Sequence, residues 1–237
     1  MVHYKEVGNW TMAMQKNMQK RNEILNCAYK LISEAEYGKV FLHDIAEKAN
    51  INKSLLQHYY ARKSDIIENI LNDMLTLSFK YIEYIEENLH INESMHLRLS
   101  VYTALFWETA SKHERLNKFI LNIIPERELL NIWINIVYKW LYGIEENSGN
   151  LFPVDKLKIA LAFAMAGGLE LYLHHDELNV EVMFICEQIT TSFMKVLDNR
   201  EEDIQEILNK TRLILKQLDI EKFYEYCNNQ IEWFYHD

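Results

Sequence analysis

Phe41-Leu-His-Asp-Ile-Ala-Glu-Lys-Ala-Asn-Ile-Asn-Lys-Ser-Leu-Leu-Gln-His-Tyr-Tyr60 decides how the rest of this 237-residue chain is read. Leu42, Ile45, Ala46 and Ala49 recur at helical spacing and predict one apolar face on a short helix. Asn50 is among the few non-glycine residues that tolerate the left-handed conformation in which helices end. Asn52 offers a side-chain oxygen to cap a second helix beginning at Lys53. There Leu56 and Tyr60, four apart, face inward, and Lys53, Ser54, Gln57 and His58 take the opposite side. Two short helices joined by a tight turn, the second polar outward, predict a helix-turn-helix that enters a DNA major groove.

Working outward, residues 20 to 36 form a bracing helix that buries Leu25, Ala28, Leu31, Ile32 and Ala35. Downstream, Ser64 is the expected N-cap of a long fourth helix. Its stripe of Ile67, Ile70, Leu71, Met74, Leu77, Tyr81 and Ile85 continues to about Leu89. The run from Ile24 to Leu71 resembles the DNA-binding domain of the tetracycline-repressor (TetR) family of transcriptional regulators. The resemblance is carried by Ile24-Leu25, Ala28, Asp44-Ile45-Ala46, Ala49-Asn50-Ile51, Lys53, Leu56, Tyr60, Lys63 and Asp65-Ile66. The chain departs from the family at Val40-Phe41, where threonines or serines are usual, at Ser54-Leu55 in place of Gly-Thr, and at Gln57 in place of tyrosine.

The resemblance implies an all-α protein in two parts. Residues 1–64 would be an arm and helix-turn-helix head, and 65–237 a helical body for effector binding and dimerisation, with a C-terminal extension beyond the family's usual end. It implies a homodimer on palindromic operator DNA, repression relieved by a small molecule, a cytoplasmic location and no enzymatic activity. Two other readings stay open: a helical adaptor that binds protein alone, and a DNA-binding regulator without a ligand.

The DNA candidates follow. Lys20 and Arg21 suit a basic arm; Phe41 and His43 open the second helix; Asn52, Lys53, Ser54, Leu55, Gln57, His58 and Tyr59 belong to the recognition segment. Gln57 can pair bidentately with adenine or meet a phosphate, and Leu55 suits a thymine methyl. Lys63, beside a helix N-terminus, is expected to touch phosphate.

Charge divides along the same line. The net charge is −10, yet residues 1–63 hold ten Lys and Arg against six Asp and Glu, and the remainder 15 against 29. A basic head on an acidic body points to nucleic acid at one end. Six Gly and two Pro are too few for a turn-rich all-β protein. Cys27, Cys186 and Cys227 lie far apart in apolar contexts, which fits reduced core cysteines. Neither a signal peptide nor an apolar run of ~20 residues is found, so a soluble protein is expected.

In the body, Tyr102, Phe106, Trp107, Glu108, Trp133, Val137 and Trp140 suit a cavity for an apolar or aromatic effector, although rings at helical spacing also make an ordinary bundle core. By resemblance the effector would sit between the fifth and seventh helices. Helices at about 154–175 and 179–197 supply Ala160, Ala164, Gly167, Gly168, Leu171, Ile185, Ile189 and Phe193, which the resemblance assigns to the dimer interface. The alternative is two interior helices of one chain. Residues 201–237 are expected to add one helix and an aromatic tail. His174-His175-Asp176-Glu177 suits a solvated helix end, because adjacent histidines diverge too far to chelate one ion. No nucleophile elbow, phosphate loop or metalloprotease motif is present, and no cofactor or metal is expected.

Overall fold

A computed structural model describes residues 12–89, 94–148 and 154–231. Those residues are helical throughout, with no strand among them. The head is α1 (Met12–Glu34), a 3-10 turn (Tyr37–Lys39), α2 (Leu42–Lys48) and α3 (Lys53–Tyr59). The body is built from α4 (Lys63–Leu89), α5 (Met95–Lys112), α6 (Glu114–Ile123), α7 (Arg127–Ser148), α8 (Val154–Leu173), α9 (His175–Leu178), α10 (Val182–Val196), α11 (Glu201–Leu215) and α12 (Ile220–Gln230). A boundary at 64/65 falls within the first turn of α4, which serves head and body alike.

The turn forms for the reasons its residues suggest. Asn50 takes a φ of 51° between α2 and α3, and the Asn52 side chain accepts the Leu55 N–H at 2.8 Å. Ser64, expected to cap α4, is instead buried in its first turn, and Asp65 reaches back to the Arg62 N–H at 2.9 Å. An Asp44 carboxylate does the same for the Phe41 N–H at 2.7 Å, which is how α2 starts without a hydroxyl cap.

Ile24, Leu25, Ala28, Ile45, Ala46, Leu56 and Ile66 are buried together and hold the three head helices against α4. The head also rests on the body through α1 and α6, where the Asn122 side-chain amide donates to the Ile32 carbonyl at 2.7 Å. In the body, α5 is the central helix, packed against α4, α6, α7, α10, α11 and α12. Its Ser100 hydroxyl meets Thr190 of α10 at 3.2 Å and Thr211 of α11 at 2.8 Å, so three buried polar groups satisfy one another.

Three expectations are corrected. The 154–175 helix ends at Leu173 and is followed by a separate single turn, α9, before Asn179 at a φ of 51°, while the 179–197 helix is α10. The tail after α11 is a further helix, α12, docked on α4 and α5 (Trp233 and Phe234 lie outside the described residues). Most of the expected dimer surface lies inside one chain. Ala160, Ala164, Gly168, Ile185, Ile189 and Phe193 are buried, because the small residues of α8 let α10 approach closely. Leu171 is half-buried, and Gly167 alone of that set is exposed.

The two adjacent glycines separate these roles. A Cβ on Gly168 would overlap the side chain of Ile189, whereas one on Gly167 would meet nothing within 4 Å. Gly168→Ala is therefore expected to destabilise by about 1–3 kcal/mol through overpacking. Gly167→Ala should leave the isolated chain unharmed, or more stable by up to about 1 kcal/mol. Thermal melts of the two variants check this, and equal losses would contradict the assigned packing.

Candidate nucleic-acid interface

The α3 helix is held from below and bare above. Leu56 and Tyr60 are buried, while Asn52, Lys53, Ser54, Leu55, Gln57 and His58 are exposed along one side. The pattern follows from α3 lying on α2 and the head core, so each inward residue is an anchor and each outward one is offered to a partner. Tyr59 is half-buried, and its hydroxyl donates to Asn17 at 3.1 Å, which ties α3 to the start of α1. Phe41, 56% exposed, stacks on His43 with ring centroids 5.6 Å apart. These two rings form one wall of an open groove, and Lys53 and Gln57 form the other. The exposed surface is thus wider than α3 alone and includes the start of α2.

The expected basic contacts are distributed differently. Lys63 turns inward: its ammonium donates to the Tyr37 and Val40 carbonyls, the latter at 2.6 Å, and lies 3.6 Å from the centroid of the Tyr37 ring. Two of its three donors are engaged within the chain, and the side chain still lines the groove beside Lys53 and Gln57. Burial also pulls its pKa below the ordinary lysine value. Arg21 spans to α4, donating to the Asn69 side-chain oxygen Oδ1 at 2.7 Å with Asp73 at 3.8 Å. Lys20 pairs with Glu23 on its own helix. Arg21 thus braces α1 against α4, whereas the Lys20 pair stays within α1.

Lys63→Met keeps the stem and removes the donors, so the Val40 carbonyl loses this partner and the Tyr37 carbonyl keeps only the Val40 N–H at 3.3 Å. Because the site is partly solvated, a loss of about 1–2 kcal/mol is expected. A lowered melting temperature checks it; an unchanged melt with weakened DNA binding would favour the phosphate role.

The aromatic set of the body is found packed on itself. Trp140 stacks on Phe79 with centroids 4.1 Å apart, Trp107 stacks on Trp133 at 5.4 Å, and the Trp133 N–H donates to the Tyr102 hydroxyl at 3.1 Å. Phe106 and Val137 are buried alongside, and Glu108 is half-buried at the edge. This is a filled core, because the flat faces are covered by other rings; Phe106 alone of the set borders a cleft, on its far side. Burial pushes the Cys186 thiol well above its ordinary value, and Glu108 adds to that shift. At the α8–α9 junction His175 stacks on the Tyr172 ring and meets its carbonyl at 2.7 Å.

What α8 and α10 leave uncovered is apolar. On α8, Ile159 (60% exposed), Phe163 (65%), Ala166 and Gly167 form one stripe, and Phe184 of α10 (48%) lies exposed as well. The sequence of α8 is apolar nearly all round and so needs cover on more than one side; α10 and α7 supply part of it, and Ile159, Phe163 and Ala166 remain bare. Among the described residues no helix is long and apolar enough to cross a membrane.

A head with an exposed second helix, carried on a long helix that enters an all-helical body, is the fold of the TetR regulators. Neither a family model nor a curated protein matches the sequence. Among solved structures, the chain matches RolR in complex with its ligand resorcinol, with a TM-score of 0.54, 14% identity, and coverage of 82% of this chain and 95% of RolR. It also matches FadR of Thermus thermophilus, a TetR-family transcriptional repressor in complex with lauroyl-CoA, with a TM-score of 0.54, 13% identity, and coverage of 76% and 96%.

Proposed function

We propose that this chain is a TetR-like transcriptional regulator that binds palindromic operator DNA as a homodimer. The observation that carries the reading is the outward face of α3, where six successive non-core positions of the segment Asn52 to His58 are exposed and uncharged except for Lys53. Lys53 meets phosphate, Gln57 and Ser54 meet base edges or phosphate, and Leu55 meets a thymine methyl. Phe41 and His43 flank the backbone beside them. The head is residues 1–64 and the body 65–237, and repression is the default mode of action.

Dimerisation uses the outward stripe of α8 and α10, with Ile159, Phe163, Gly167 and Phe184 against the same residues of a second copy. An apolar stripe on a soluble regulator is best buried by its own symmetry mate, since a two-fold operator demands a two-fold protein. A small-molecule effector in the body is supported by two structural relatives that hold ligands as different as resorcinol and lauroyl-CoA. The filled aromatic core favours the ligand-free alternative at Trp107 and Trp133 themselves.

The test is titration of full-length protein into labelled random-sequence duplexes at low and high salt. Affinity is expected to fall by at least roughly a hundredfold over a fourfold rise in salt, as several phosphate contacts require. Binding that is absent, or indifferent to salt, overturns the reading.

A further inference from the structure

Behind the aromatic core lies a cleft between α4, α5, α6 and α12 with about 30 Å³ of free space, room for a single water. Ser78, Phe106 and Thr109 line its floor, and α12 closes it with Phe223, Cys227 and Ile231. No charged side chain borders it among the described residues.

One polar group in the cleft is unexplained by the fold. Thr109 is 2% exposed, and its hydroxyl has no hydrogen-bond partner. Four other buried hydroxyls of the body behave differently. Ser78, Thr103, Thr190 and Thr211 each donate to the carbonyl four residues earlier, at 2.6 to 3.1 Å. Thr109 lacks even that bond, so it carries a desolvation penalty that nothing in the chain offsets.

The wall that closes the cleft is the most separable part of the body. Among the larger contacts, α12 packs only on α4 and α5. Rings hold it there: Tyr81 of α4 lies 5.1 Å from Phe223 and 5.0 Å from Tyr226, and His113 stacks on Tyr224 at 3.4 Å. A surface helix held by few neighbours is the kind of element that opens locally while the rest of a fold stays formed.

We infer that this cleft is the ligand site of the body, that it takes a small uncharged molecule with an apolar ring or chain and one hydroxyl or carbonyl group for Thr109, and that α12 moves aside to admit it. An anion or a cation is excluded by the absence of any countercharge. The closed volume is too small for any such ligand, which is why the door must move. The regulatory consequence rests on the reading of the chain as a DNA-binding regulator; the site itself does not.

Cys227 reports the door. Cys227 is half-buried against the cleft and burial pushes its thiol up to about 12, so it reacts slowly as it stands and faster when α12 opens. In full-length protein carrying Cys27→Ser, with Cys186 inert in the core, the rate of Cys227 modification by a disulfide reagent is measured with phenol or with benzoate at millimolar concentration. Phenol is expected to change the rate by about fivefold or more in a saturable way, and benzoate to leave it unchanged. Thr109→Val should abolish the phenol effect and melt no lower than its parent, because it removes only an unpaired hydroxyl. No phenol effect, an equal benzoate effect, an undiminished response in Thr109→Val, or a lower melt of that variant each overturns the proposal. DNA binding is followed in the same samples. A thiol response without DNA binding upholds the site and defeats the regulator reading, whereas DNA binding without a thiol response defeats the site alone.

Discussion

Phe163→Glu is expected to turn a dimer into monomers that keep their helix content and lose at least roughly a hundredfold in operator affinity, because avidity between two linked heads contributes 10²–10⁴. Phe163 is 65% exposed on the chain alone and lies at the middle of the stripe from Ile159 to Gly167. A glutamate there is fully hydrated in the monomer, so folding is untouched. In a two-fold interface it appears twice, each carboxylate desolvated near its own image, and burying even one unpaired charge costs several kcal/mol. Phe163→Leu, which keeps an apolar side chain, should remain dimeric. Sedimentation of both variants decides the matter, and a Phe163→Glu protein that still sediments as a dimer would remove α8 from the interface.

The second large effect is expected at Lys53. Lys53→Glu reverses the one formal charge on the exposed side of α3 without touching its buried face. Loss of one phosphate contact on each of two heads should reduce the salt slope of binding by about 2. The added repulsion should lower affinity further, to about the level of nonspecific binding. Gln57→Ala is the complementary variant. If Gln57 reads a base, affinity falls by about 1–3 kcal/mol per half-site on the preferred sequence and little on others. Anisotropy titrations over a salt series separate the two behaviours, and wild-type affinity in Lys53→Glu would mean that α3 does not face the duplex.

The parts of this fold that were readable in the sequence are those decided within a few residues. Asn50, Asn52, Leu56 and Tyr60 specify a turn, a cap and an inward face locally, and α3 takes the expected orientation. The carbonyl contacts of Lys63 were not legible, because a lysine at a helix start suits a phosphate as well as a carbonyl pair, and those carbonyls belong to Tyr37 and Val40, more than twenty residues earlier. The small residues of α8 had the same ambiguity. Ala160, Ala164 and Gly168 permit close approach of a helix, but nothing local says whether that helix belongs to the same chain. The aromatic residues of α5 and α7 signal bulk, and whether bulk encloses space or fills it depends on how the rings stack. Ile220, Phe223 and Cys227 do recur at helical spacing, so α12 was legible in principle beneath its polar residues.

Under the proposed function, the head–body joint is the route by which a change in the body would reach the DNA. The α4 helix runs through both parts, α6 touches α1, and the Arg62 guanidinium links the first turn of α4 to Glu128 of α7 at 3.1 Å. In the proposed dimer, a movement of the body would tilt each head and so change the spacing between the recognition helices.

Spacing is also where the account is most exposed. Full-length protein is used to select duplexes from a random-sequence pool, and the bound molecules are sequenced. The expected product is an inverted repeat whose half-sites are centred about 10 base pairs apart, or a multiple of that, as two α3 helices on one face of the duplex require. Sequences without two-fold symmetry, or no enrichment at all, would contradict a paired helix-turn-helix reader.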